Sequence, residues 1–162
     1  MGHKISKNFS LTEFIPKEVY KELGGNSYKL IDPRIYKLAQ SIRDYLGSPM
    51  TINNWTSRGE YNNRGYRTFD CKVGSSLSQH KFGRAIDFHC PGIDPIETQK
   101  ILIRNRDLIC PDITFFEIDI NWVHIDVRAI HPVGSFQDIL GFYLWSPTRG
   151  FVDYDVWREE TA

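Results

Sequence analysis

The spacing of apolar residues changes several times along the chain, and each change marks an element. Ser10, Leu11, Thr12 and Glu13 have the form of a capping box, in which a hydroxyl and a carboxylate satisfy orphan N–H groups. This predicts a helix opening there and running toward Tyr20, with Gly24 and Gly25 ending it. Asp32 and Pro33 read as an N-cap and an N1 proline. Ile35, Leu38, Ala39, Ile42, Tyr45 and Leu46 then recur at helical spacing up to Gly47, which predicts a second helix. Residues 50–54 suit a short strand. From 56 to 78 the chain turns to Gly, Asn, Arg and Ser without period, as long functional loops do.

Alternation takes over at 84–90, with Ile86 and Phe88 on one face and Ala85, Asp87 and His89 on the other, the pattern of a half-buried strand. Asp94 and Pro95 open a helix expected to reach about Ile109. Residues 113–120 and 122–128 read as two further strands about a turn near Asn121. From Pro132 onward the aromatics show no clear period, and neither a repeat nor a linker divides the chain.

Composition narrows the picture to one domain. The 162 residues, 41% hydrophobic and 14% aromatic, suffice for one core and leave little room for a second. Lys and Arg number 20, as do Asp and Glu, so no global field draws the protein to nucleic acid or an anionic membrane, and recognition is expected to be local. The polar, basic start lacks the apolar stretch of a signal peptide and no segment is long enough to span a bilayer, so a soluble product made in the cytoplasm, favoured as a monomer, is expected. A loose match to the myristoylation pattern at Gly2 and Ser6 reads as chance. Cys71, Cys90 and Cys110 are odd in number and form no C-x-x-C, which points to reduced structural thiols rather than a disulfide framework or a thiolate zinc site.

The chemistry lies in His, Asp and Glu. A catalytic zinc site takes three such ligands and leaves a fourth position open. On the strand at 122–128, Trp122, His124 and Asp126 point one way and Val123, Ile125 and Val127 the other, so an apolar face anchors the strand and a polar one displays His124. Asp87 has the same placement on its strand. His80 precedes Gly83, where a glycine lets the chain turn back toward a metal. General acid–base work needs a further carboxylate. Glu117 is the candidate, with Asp119 the alternative that alternation does not separate from it. Asp126, beside a ligand histidine, is expected to orient the His124 ring without touching metal, and His89 and His131 to be structural or peripheral. A serine nucleophile is not indicated, since the G-x-S-x-G elbow is absent, and Ser78 is expected to buttress the substrate loop.

These residues fall in a recognisable order. Ser78-Gln79-His80-Lys81-Phe82-Gly83-Arg84-Ala85-Ile86-Asp87 resembles the S-x-H-x-x-G-x-A-x-D signature of the zinc D-Ala-D-Ala carboxypeptidases and their phage endolysin relatives. Trp122-Val123-His124-Ile125-Asp126 is similar to their second histidine motif, and the stretches at 8–14 and 63–67 are similar to phage-borne members. The resemblance covers roughly 8–128, leaving a C-terminal aromatic extension at 129–162. It implies a zinc on His80, Asp87 and His124, a catalytic carboxylate shortly before the last ligand, and an arginine ahead of the signature, matched here by Arg67, that handles a substrate carboxylate. Many carboxypeptidase members place the catalytic Glu three residues before the last histidine, where this chain has Asn121. Hedgehog-like relatives place it about six before, which Glu117 fits with one extra residue.

With the element pattern, the resemblance implies a single α+β domain whose small antiparallel sheet carries the site and packs against helices on one face. The expected activity is zinc-dependent hydrolysis of peptide bonds in bacterial peptidoglycan, by an endolysin-like endopeptidase or a D,D-carboxypeptidase acting after release or from a virion. The alternative is a catalytically inert zinc-binding wall or virion protein of the same fold. The aromatics Phe142, Tyr143, Trp145, Phe151, Tyr154 and Trp157 are expected to complete the core rather than to contact the wall.

Overall fold

The computed structural model describes residues 3–129 and 141–162; Gly2, His131 and Pro132 lie outside them. The Ser10 N–H donates to Glu13 Oε2 at 2.7 Å, but the cap opens only a 3-10 turn, Leu11–Glu13. Pro16 interrupts it, because the residue before a proline is pushed out of helical backbone. The helix restarts as α1 (Lys17–Leu23), which ends at Gly24 with φ of +55°. A 3-10 stretch, Gly24–Leu30, leads to α2 (Pro33–Leu46). Here the predicted signals all operate: Asp32 accepts from the Arg34 N–H at 3.0 Å, and Gly47 closes the helix in the left-handed region at φ +62°. Ile35, Leu38, Ala39 and Ile42 form its buried face.

Residues 50–54 make no full strand, only a single antiparallel bridge from Thr51 to His89. After β1 (Ala85–Phe88), the helix expected to reach Ile109 breaks at Asn105 into α3 (Pro95–Arg104) and α4 (Arg106–Ile109). The Asn105 side chain donates to the Ile101 carbonyl at 2.8 Å, a local bond of the kind that competes with continued helix. β2 (Phe115–Glu117) and β3 (Val123–Asp126) are shorter than predicted. The extension, which shows no period in sequence, folds into β4 (Tyr143–Ser146), β5 (Gly150–Val152) and α5 (Tyr154–Glu160).

The fold class is α+β, and the strand order is β1-β3-β2-β4-β5. The sheet is mixed rather than wholly antiparallel, because β4 lies parallel to β2. β3 and β4 flank β2, the first antiparallel to it and the second parallel. Ile86, Ile125, Phe116, Leu144 and Val152 form one register row across all five strands on the core side. The first four join the buried residues of α2, α3 and Trp157 in one hydrophobic core, and Val152 packs against it. The next row, on the opposite face, is Asp87, His124, Glu117, Trp145 and Phe151. Burying the first row therefore presents the second. Among the described residues, no helix is long and apolar enough to cross a membrane.

Candidate metal centre

His80 sits in a 3-10 turn, Gln79–Phe82, stopped by Gly83 at φ +67°. A Cβ at position 83 would lie 1.9 Å from the Leu30 carbonyl oxygen, so the turn can come this close to the chain entering α2 only with glycine there. The Asp32 N–H donates to Gly83 O at 3.0 Å and locks the approach. The loop at 56–78 is tied down where it passes the site. Arg64 O accepts from the Asp87 N–H at 2.7 Å, and the Arg67 N–H donates to His80 O at 3.0 Å. β1 and β3 then set Asp87 directly opposite His124.

Three side-chain atoms converge as a result. His80 Nε2 lies 3.3 Å from His124 Nδ1 and 3.2 Å from Asp87 Oδ1, and His124 Nδ1 lies 2.7 Å from that same oxygen. Ligands arranged tetrahedrally at ordinary zinc–nitrogen and zinc–oxygen distances stand about 3.3 Å apart, so two separations match and the third asks for a small opening. The far nitrogen of each ring is held as well. His80 Nδ1 donates to Gly65 O at 2.7 Å, and His124 Nε2 stands 3.5 Å from Asp126 Oδ2. A second partner of this kind fixes the ring and leaves the inner nitrogen as the donor. His80, Asp87 and His124 can therefore hold a metal ion. Two imidazoles and a carboxylate suit zinc, and by chemistry alone they also suit iron(II).

The charges agree with the geometry. Burial holds His80 below the ordinary imidazole range, against the pull of Asp87. Burial also disfavours a charge on His124, but the Asp126 and Asp87 carboxylates outweigh it and push the ring up to about 9. For Asp87, burial alone would raise the carboxyl; His80 and His124 beside it reverse the sign and hold it well below the carboxylate range. A metal ion bound by this group would displace a proton from His124 and meet an ionised Asp87.

Glu117, on β2, is directly across from His124, so Asp87, His124 and Glu117 form one line over three adjacent strands. All three face a cleft of about 690 Å³ that His80, Arg67 and Ser78 also line. Burial raises the Glu117 carboxyl, and the nearby His124 only tempers it. Asp119 is not in that line. β2 ends at Glu117, Asp119 takes a positive φ of 61°, and its carboxylate pairs with Arg149 at 3.0 Å. Arg67 lines the cleft and also contacts a candidate ligand. Nη2 donates to Asp87 Oδ2 at 2.6 Å and Nε to Asn63 O at 2.6 Å. Ser78 precedes the His80 turn, and its backbone carbonyl accepts from the Lys81 N–H at 2.9 Å to open that turn. His89 lies apart, bonded to Arg64 Nη1 at 2.8 Å.

Four participants go unread in the sequence. The Gly65 carbonyl has no side-chain signature, and Arg128 looks like an ordinary residue beyond a strand end. Trp145 and Phe151 were expected in the core; instead they line the cleft, and Phe151 is 63% exposed. Among the described aromatics of the extension only Phe142 and Trp157 are buried, with Tyr154 packed against them, because β4 alternates and its odd positions face away from the core. Comparison with protein-family models, with curated proteins and with solved structures finds no match. The family reading therefore rests on the motif residues and on the geometry they adopt.

Proposed function

We propose that this protein is a zinc-dependent peptidase that hydrolyses peptide bonds of bacterial peptidoglycan. The observation that carries the reading is the line of Asp87, His124 and Glu117 across three strands, which sets a carboxylate raised by burial beside a group of donors able to hold a metal, in one open cleft. His80, Asp87 and His124 would hold a zinc ion, which would supply a Lewis acid for the scissile carbonyl. Glu117 takes a proton from the attacking water and returns it to the departing amine, so the carboxylate ends as it began. A carboxyl pushed upward toward neutrality suits both halves of that task. Arg67 holds the outer oxygen of Asp87, and with Ser78 it lines the cleft in which the substrate would lie. The choice of peptidoglycan rests on the ten-residue signature at 78–87.

Purified cell wall incubated with the protein, with mass spectrometry of the released fragments, tests the reading. New peptide termini should appear, vanish with a chelator and return on addition of zinc. Glu117→Gln should keep the metal and lose at least about a hundredfold in turnover, the usual scale for removing a general base. His80→Ala should lose both metal and activity. Chelator-insensitive release, or a protein that retains iron and not zinc, sinks the mechanism. A zinc-loaded protein that releases nothing favours the inert wall-binding alternative.

A further inference from the structure

The metal cleft holds a second arginine that the reaction above does not use. We infer that Arg128 is its carboxylate receptor, binding a carboxylate that the substrate carries near the bond to be cut. The inference rests on the peptidase reading for the identity of the substrate.

Arg128 follows β3 and lines the cleft with His124, Glu117 and Phe115. Its guanidinium is held on two sides. Along one edge, Nε donates to Asp126 Oδ1 and Oδ2 at 2.9 and 3.0 Å, and Nη2 donates to the same carboxylate, which is fully buried. Against one face lies the Phe115 ring, its centroid 3.5 Å from the guanidinium carbon. An arginine held by a bidentate carboxylate and an aromatic ring has little rotamer freedom left to lose on binding. The end edge, made of Nη1 and the remaining N–H of Nη2, hydrogen-bonds to nothing among the described residues, and the side chain is 32% exposed. Two parallel N–H groups with that spacing match the two oxygens of a carboxylate.

Arg67, the arginine that the family resemblance assigns to this task, is less open to the cleft. Like Arg128 it has two nitrogens committed, here to Asp87 and Asn63, but its side chain is only 8% exposed against 32%. In this chain the two tasks are divided: Arg67 positions the ligand Asp87, and Arg128 presents a free edge to the cleft. Glu117 and Asp87 share the cleft and disfavour multiply charged anions such as phosphates, which leaves a singly charged, planar group as the best fit.

The test uses a soluble stem peptide of peptidoglycan with its carboxylates free and the same peptide with them amidated. Dissociation constants are measured by calorimetry on the full chain, metal-free and zinc-loaded. The wild type should bind the free form at least about tenfold more tightly, as a charge-assisted contact provides. Arg128→Gln should bring the two forms to parity by weakening the free form alone. Asp126 loses a partner in that variant, so Arg128→Lys is read beside it; it keeps a cation there without the two-donor edge and should lose part of the discrimination. Equal or absent binding of the two forms by the wild type overturns the inference, as does discrimination that persists in both variants or that disappears only in Arg67→Gln. Discrimination without release of wall fragments would count against the peptidase reading and not against this receptor. Release without discrimination would do the reverse.

Discussion

Glu117 and Asp119 stand two residues apart, and strand periodicity assigns both to one face. The chain separates them by ending β2 at Glu117 and giving Asp119 a left-handed backbone, which sends its carboxylate to Arg149. Asp119→Asn should therefore leave metal content and wall digestion unchanged. It should cost less than about 1 kcal/mol in thermal unfolding, because both partners are more than a third exposed. Loss of turnover in a metal-replete Asp119→Asn protein would move the catalytic role away from Glu117. The same scale shows what a sequence can disclose about a site. His80, Asp87 and His124 are legible because ligand chemistry restricts residue type and because the strands that carry two of them alternate. The groups that orient them are less so: Asp126 is inferred from its place beside His124, whereas Gly65 contributes only a backbone oxygen, which any residue has.

At the scale of elements, α2 is the best-marked unit and the chain leans on it, since Gly83 approaches the residues that lead into it. The Asp32 side chain accepts from the Arg34 N–H at 3.0 Å and from the Arg34 guanidinium at 2.7 Å. The hydrogen bond from Arg34 outweighs burial and holds the Asp32 carboxyl below the usual carboxylate range. A carboxyl lowered by folding binds its proton in the unfolded chain first, so its stabilisation is present above the unfolded pKa of about 4 and is lost as pH falls through the folded value. Asp32→Ala should cost about 1–2 kcal/mol near pH 7, the scale of a lost N-cap, and the gap to wild type should narrow below about pH 4 in denaturant titrations. A gap that does not change with pH would mean that the charge contributes nothing. Local signals such as this cap are readable residue by residue. The parallel pairing of β4 with β2 is not, because it depends on where a strand of four residues lands after β3 rather than on its own composition. The break at Asn105 escapes for a related reason: one side chain captures a carbonyl within an apolar period that continues past it.

Over the whole molecule, the donor atoms come from the His80 turn, β1 and β3, while the core draws on α2, α3, the sheet and α5, so the site and the core should open together. The cysteines report on that opening. Cys90 and Cys110 are buried in the core, where loss of solvation pushes their thiols up to about 11 and about 12, and Cys71 is partly exposed. Because the thiolate is the nucleophile, iodoacetamide at pH 8 should label Cys71 in the native protein and reach the other two only through unfolding. An ion that binds the folded chain alone suppresses that route. Zinc at about a hundred times its dissociation constant should slow labelling of Cys90 and Cys110 by about a hundredfold and leave Cys71 almost unchanged, and a chelator should reverse the effect. Peptide mass spectrometry of quenched time points measures the three rates in one experiment. If zinc protects no cysteine, the three donors do not bind it in the folded chain; if it slows Cys71 as strongly as the core pair, the loop at 56–78 opens with the core instead of ahead of it.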